Sequence, residues 1–329
     1  MLQKQYLTMM AVLVVASIAA GGVQAADYTA KIGKVGGDAQ TAENLALLRY
    51  EQIVEERTGG AVDLQIFIGN QLGNEVAIAE GMRLGSVEGG LLTSQAMSTW
   101  VPQGDVWGLP FVFRDADHAY NATSGRPGDM VKKYYEDQGF HVVGLWTAGA
   151  RHPVGHYAIK TVADAKGKKV RVKQSQLALK IWKAVGANPT PMPWPEVANA
   201  IETKTIDLFT TLGSAWWGMK LYETAPHFSE VGHTWVIYVM TFSKRWWDTV
   251  PAKYQNVMEQ SAREMAIFQH HFLDFSNVNG PKMAAKLGAK AHKVTDKGPW
   301  VKAMSNIWTE WAAEVKDGQL LIDALRAVK

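Results

Sequence analysis

Arg171 stands in a short alternating run, Lys169-Val170-Arg171-Val172, and Trp194 follows on a proline-rich turn, Pro191-Met192-Pro193-Trp194-Pro195. Successive side chains of a strand face opposite ways, so Arg171 points away from the two valines. A guanidinium beside an aromatic suits a small planar anion, because its fork of donors meets carboxylate or sulfonate oxygens two at a time. The same arginine also belongs to a basic run, Lys166, Lys168, Lys169, Arg171 and Lys173. On composition alone that run reads first as a solvated strand face. Arg151 lies in Gly149-Ala150-Arg151-His152, just after an apolar run. Ligands of open α/β sheets gather at such strand ends, although a lone loop arginine is more often a surface cation. Trp194, Trp216 and Trp217 flank helices of the same region and read either as core or as rigid walls of a cleft.

Other chemistries find little support. Among nine histidines, His152 and His156 are separated by Pro153 and Gly155, which oppose the helix that would align them. His270 and His271 are adjacent and point to different helix faces, and no H-E-x-x-H motif occurs. No metal site is expected. Neither a G-x-S-x-G elbow nor a glycine-rich phosphate loop is present, and Glu196 and Glu202 read as solvated or capping carboxylates. Catalysis and cofactors are therefore not expected. The chain has no cysteine, which excludes disulfides and thiolate chemistry. A formal net charge of +3 makes no electrostatic case for nucleic acid or acidic membranes.

These residues need a frame to hold them. Lys4, the apolar run Met9 to Ala20 and the small residues around Val23-Gln24-Ala25 describe a secretory signal peptide over residues 1–25. With no cysteine at that site, a lipid anchor is not expected. The remaining chain, about 300 residues, is long enough for one large or two medium domains. Strands are expected at Ala30–Val35, Val62–Ile68, Gly89–Thr93 and His141–Trp146, alternating with helices over Glu43–Arg57, from Asn74 to Leu84, and near Tyr120–Gln138. That alternation implies βαβ units and a mostly parallel sheet. A second unit is expected to begin near Ala148–Arg151 with a strand around His156–Ile159, and it includes the Arg171 strand. Thr234–Phe242 reads as a further strand. Pro251 opens a long helix to about Phe275, Gly280-Pro281 breaks it, and Val301 to Val315 marks an amphipathic terminal helix.

In this order and spacing, several short motifs resemble the substrate-binding proteins of TRAP (tripartite ATP-independent periplasmic) transporters, of the dicarboxylate-binding type. Glu55-Glu56-Arg57-Thr58-Gly59-Gly60 is similar to the family's "ERTGG" helix end, and Gly69 to Glu75 to its "GQLGxE" turn. Leu109-Pro110-Phe111-Val112-Phe113 with Asp115 to Ala119 resembles "LPFLF" and its aspartate-histidine segment. Asp164 to Arg171 resembles "DLKGxKIR", and Gly186 to Val197 resembles "GAxPTPMPFxEV".

The resemblance implies an α/β, two-domain periplasmic binding protein fold with a hinge, a long helix crossing both domains, and a ligand cleft between them. Domain I is expected to comprise residues 26–148 with 237–276, and domain II residues 149–236 with 277–329. Arg171 is implied as the main bidentate partner of a ligand carboxylate, with Arg151 assisting and Trp194 lining the ligand. Thr211 stands where the family has an asparagine, in Thr205-Ile206-Asp207-Leu208-Phe209-Thr210-Thr211. With Trp216 and Trp217 close behind, that departure suggests a compact carboxylate, keto acid or sulfonate with few hydroxyls. Gln95, at the strand end Thr93-Ser94-Gln95, is expected to add a polar contact. The expected function is a periplasmic receptor that closes on an organic anion and delivers it to the small and large membrane permease subunits, with monomer as the default state. The alternatives are a receptor for a signalling partner and a periplasmic enzyme using the same cleft.

Overall fold

In the computed structural model, which describes residues 26–37 and 41–329, the early elements fall where alternation and capping residues put them. The signal peptide expected over residues 1–25 lies outside the described residues. The strands are β1 (Tyr28–Lys34), β2 (Val62–Ile68), β3 (Gly89–Thr93), β4 (Phe140–Gly155), β5 (Lys169–Val172), β6 (Asn188–Pro191), β7 (Leu208–Thr211), β8 (His227–Ser229), β9 (Thr234–Ser243) and β10 (Lys290–His292). The helix Ala42–Thr58 stops at Gly59, whose φ of 63° is left-handed backbone that glycine adopts without strain. Asn74 caps the helix Glu75–Leu84 by accepting the Ala77 N–H at 3.0 Å.

One sheet runs β2-β1-β3-β9-β4-β7-β5-β6, and β8 joins β10 to β4. Two strands make it continuous. β4 pairs antiparallel with β9 from Phe140↔Ser243 to Arg151↔Thr234, and its C-terminal end then pairs with β7 and β8. The outer pairs β1–β2, β1–β3, β5–β6 and β5–β7 are parallel. The expected mostly parallel sheet is thus corrected at its centre, where two long antiparallel strands cross between the halves.

Ala148–Arg151, where a second unit is expected to begin, lies within a single strand. β4 runs through it with a register shift between Thr147 and Gly149, where Gly149 takes a φ of +117°. A bulge bends a strand without ending it, so one strand serves both halves, and His156–Ile159 forms no strand of its own. The helix expected near Tyr120–Gln138 is two, Ala116–Ser124 and Arg126–Asp137, separated by Gly125 with Pro127 at the next helix start.

Gly280-Pro281 does not break the long helix, which extends from Ala252 to Lys286 with Pro281 inside it. Packing on the sheet and on the helices Ala42–Thr58 and Gly213–Gly218 outweighs the lost backbone bond. The helix expected from Val301 to Val315 is two, Gly298–Ala303 and Ile307–Glu314, and a further helix, Gly318–Arg326, follows and packs on Arg126–Asp137 in the first half. No described helix is long and apolar enough to cross a membrane.

Candidate ligand-binding site

The basic run divides once it is folded. Lys166 and Lys169 are exposed, whereas Arg171, on β5 between β6 and β7, is only 2 % exposed. Its Nε donates to the Met192 carbonyl at 2.8 Å, and its Nη1 is buried with no partner among the described residues. The guanidinium carbon lies 5.5 Å from the centre of the Trp194 ring. Trp194 sits edge-on to Phe209 at 6.0 Å and covers Gly36 at the end of β1, where an added Cβ would lie 2.7 Å from the indole nitrogen. A buried guanidinium with an unused donor is costly unless an anion meets it.

Arg151 reaches the same place from β4, immediately after the bulge. Its Nε donates to Thr210 Oγ1 at 2.8 Å, and its Nη2 donates to the Thr210 carbonyl. These bonds hold the guanidinium against β7 and direct it into a cavity of about 60 Å³ that Trp194 and Thr211 also line. Lys34, at the end of β1, places its ammonium 4.9 Å from the Tyr238 ring centre. Glu75 opens the helix Glu75–Leu84, accepts the Thr93 N–H at 2.6 Å and lies 4.0 Å from Lys173 Nζ. Glu43 completes the ring of charges around this cavity.

The electrostatics match the geometry. Burial, then the Arg151 charge, push Arg171 down to about 9. Burial brings Arg151 to about 10. Burial also lowers Lys173 to about 7, with Arg151, Arg171 and Lys34 adding to the effect against Glu75. Burial would raise Glu75, but Lys173, the Thr93 N–H and Lys34 outweigh it and hold the carboxyl below its ordinary value. Three cationic side chains, Lys34, Arg151 and Lys173, thus line the cavity with two carboxylates, Glu43 and Glu75, and Arg171 lies outside the lining but feels the charges of Arg151 and Glu75. Arg151 lowers Arg171, and Arg151, Arg171 and Lys34 lower Lys173, so an anion bound beside them would favour the charged forms of both.

The fold therefore brings Arg151, Trp194 and Thr211 to one cavity and sets Arg171 against Trp194, just outside the lining. Gln95 lies in an adjoining chamber of about 30 Å³ that shares Arg151 and Lys173 with the main cavity. Its Nε2 donates to the Trp235 carbonyl at 3.0 Å, and its Oε1 has no partner. Trp216 is a correction. It lies in a separate core with Phe209 and Phe228, its ring 5.0 Å from Phe228, and its N–H donates to the Ala225 carbonyl at 2.8 Å. With its polar atom satisfied and its ring enclosed, it lines neither chamber.

Sequence reasoning missed Lys34, Glu43 and Tyr238, and it assigned no role to Glu75 or Lys173. Glu75 had a signal, as the last residue of the "GQLGxE"-like turn. Lys173 had one in the period-2 spacing from Arg171, which puts both on one face of the extended chain that leaves β5. Lys34 and Tyr238 carry none, since pairing of β1, β3 and β9 alone makes them neighbours.

The model of the family described as "Bacterial extracellular solute-binding protein, family 7" matches residues 32–314. The 2,3-diketo-L-gulonate-binding periplasmic protein of Escherichia coli is 31 % identical over 229 residues, which is 69 % of this chain and 70 % of that protein. A TRAP periplasmic solute-binding protein of Xanthobacter autotrophicus, solved with β-D-galacturonate, superposes with a TM-score of 0.87 at 25 % identity and covers 91 % of this chain and all (100 %) of its own. One from Sulfurospirillum deleyianum, solved with succinate, gives a TM-score of 0.85 at 26 % identity, with 92 % and 100 % covered.

Proposed function

The chain belongs to bacterial extracellular solute-binding protein family 7, and from that premise we propose that it is the periplasmic receptor of a TRAP transporter for a small organic acid. One observation carries the reading: a cavity lined by Lys34, Arg151 and Lys173 under Trp194, with Arg171 buried 5.5 Å from that ring and its Nη1 without a partner among the described residues. Arg171 grips the ligand carboxylate, Arg151 shares its charge, Trp194 covers the guanidinium, and Thr211 and Gln95 set polarity. Glu75 and Tyr238 add acceptors and a hydroxyl to the wall, so hydroxylated acids fit better than Trp194 and Thr211 alone suggested.

The domains divide as 26–148 with 237–276 and 149–236 with 277–329, except that the last helix, Gly318–Arg326, sides with the first domain on which it packs. β4 and β9, which cross between them, form the hinge. The receptor works as a monomer in the periplasm, performs no chemistry on its ligand, and hands it to the small and large permease subunits.

A thermal-shift screen tests this, because a ligand that binds only the folded state raises the melting temperature. The panel is galacturonate, glucuronate, gulonate, 2,3-diketogulonate, succinate and their nearest sulfonates. A carboxylate is expected to shift the melt. Arg171→Ala should then weaken its binding by roughly 2–5 kcal/mol while leaving the ligand-free melt close to that of the parent. A variant that binds its acid as tightly as the parent would remove Arg171 from the site.

A further inference from the structure

Three chain segments meet at one side chain outside the ligand cavity. Asn277, on the long helix, donates from Nδ2 to the Ala148 carbonyl at 2.7 Å and accepts the Ser214 N–H on Oδ1 at 3.0 Å. Ala148 precedes Gly149, the bulged residue of β4 with a φ of +117°. Ser214 lies in the first turn of the helix Gly213–Gly218, which follows β7. One amide therefore ties the strand that presents Arg151 to the segment that presents Thr211, at three residues' distance from each.

The helix is itself irregular here. Pro281 has no N–H, so the Asn277 carbonyl lacks its helical donor. Gly213 packs against that carbonyl, and an added Cβ would collide with it. An added Cβ on Gly149 would collide with the Asn277 amide, and one on Gly280 with the Gly213 carbonyl. Three glycines allow three backbones to converge, and Asn277 supplies the polar links among them.

We propose that Asn277 is a positioning residue that sets the hinge angle, holding β4 and β7 so that Arg151 and Thr211 converge on the ligand. It touches no ligand atom and acts through the bulge at Gly149. Bending about β4 and β9 changes the path of the chain at Ala148, so a side chain bonded there biases the open–closed equilibrium. The inference rests on the receptor reading of the cleft.

Its test does not need the ligand to be known. The chain has no cysteine, so Leu84→Cys and Tyr157→Cys, at positions 72 % and 48 % exposed, take one spin label on each half. Pulsed electron-electron distance measurements on the ligand-free parent and on Asn277→Ala are expected to differ, with the variant shifted and broadened toward longer distances. Any acid that the parent binds in the screen should bind the variant about tenfold more weakly, the scale of two lost hydrogen bonds. Asn277→Asp keeps the acceptor for Ser214 but sets a carboxylate oxygen against the Ala148 carbonyl to which the amide donates. It should shift in the same direction, and it serves if the alanine variant does not fold. A distance distribution identical to that of the parent in the folded variants overturns the proposal, whatever happens to the melting temperature. If the parent binds no acid, the receptor reading fails while the distance comparison still decides the role of Asn277.

Discussion

Replacing Asp105 by asparagine should change how ligand affinity depends on pH. Asp105 lies in the short helix Pro102–Gly108 of the first half and is 4 % exposed. Its Oδ2 accepts the Ser175 hydroxyl at 2.9 Å, and Oδ1 is buried without a partner. Ser175 caps the helix Gln176–Ala184 of the second half, so this contact bridges the two halves. Burial drives the carboxyl from 3.8 up to about 7, against the pull of the Ser175 and Ser98 hydroxyls and the Lys173 charge.

An acid whose value is raised on closing favours the closed state below its open-state value and loses that advantage as pH rises through the closed-state value. With the ordinary carboxyl value of 3.8 standing for the open state, the widest window runs from about pH 4 to about pH 7. A rise of about three units, at about 1.4 kcal/mol each, sets a ceiling of about 4 kcal/mol on the cost of closure at pH 8. At pH 5 the remaining cost is below about 2 kcal/mol. The asparagine amide is neutral throughout and keeps the shape that meets Ser175. Asp105→Asn should therefore bind its acid more tightly than the parent at pH 8, by tenfold or more, with the advantage shrinking toward pH 5. Isothermal titration calorimetry across that range gives the ratio directly. Lys173, held near 7, titrates in both proteins, and because its charge pulls on Asp105 the ratio reports Asp105 together with that coupling. A ratio that does not change with pH, or a weaker variant at pH 8, refutes the reasoning.

Two further substitutions separate cleft from core. Trp194→Ala uncovers Arg171 and opens the contact with Gly36, so it should weaken ligand affinity by about 1–3 kcal/mol and reorder the acids in a competition assay. An unchanged ranking returns Trp194 to a packing role. Trp216→Phe loses the bond to Ala225 and part of the ring that packs on Phe228, so the melting temperature should fall. Its affinity, measured by calorimetry below the melt, should stay within twofold, and a larger loss would put Trp216 back in the site.

Local rules made much of this molecule legible. Gly59 and Asn74 ended and began helices because a left-handed turn and a capping oxygen are local requirements. The alternation of β2 and of the Arg171 strand was readable for the same reason, and ordered motifs from Glu55 to Val197 named the family. Misreadings occurred where local and distant forces disagreed. Pro281 and Gly149 both carry local break signals, yet the long helix and β4 continue through them because packing between distant segments outweighs one lost bond or one bulge. The same limit hid half of the cleft. Arg171 and Trp194 lie within one short stretch and could be read together, but Lys34, Glu75 and Tyr238 become their neighbours only through strand order. Sequence alone determined that an arginine-bearing α/β receptor was present. Tertiary structure decided that Arg171 is buried with a donor to spare, that Trp216 is core, and that further charges surround the cavity. Burial and approach between remote segments are properties of the folded chain, with no period or spacing to announce them.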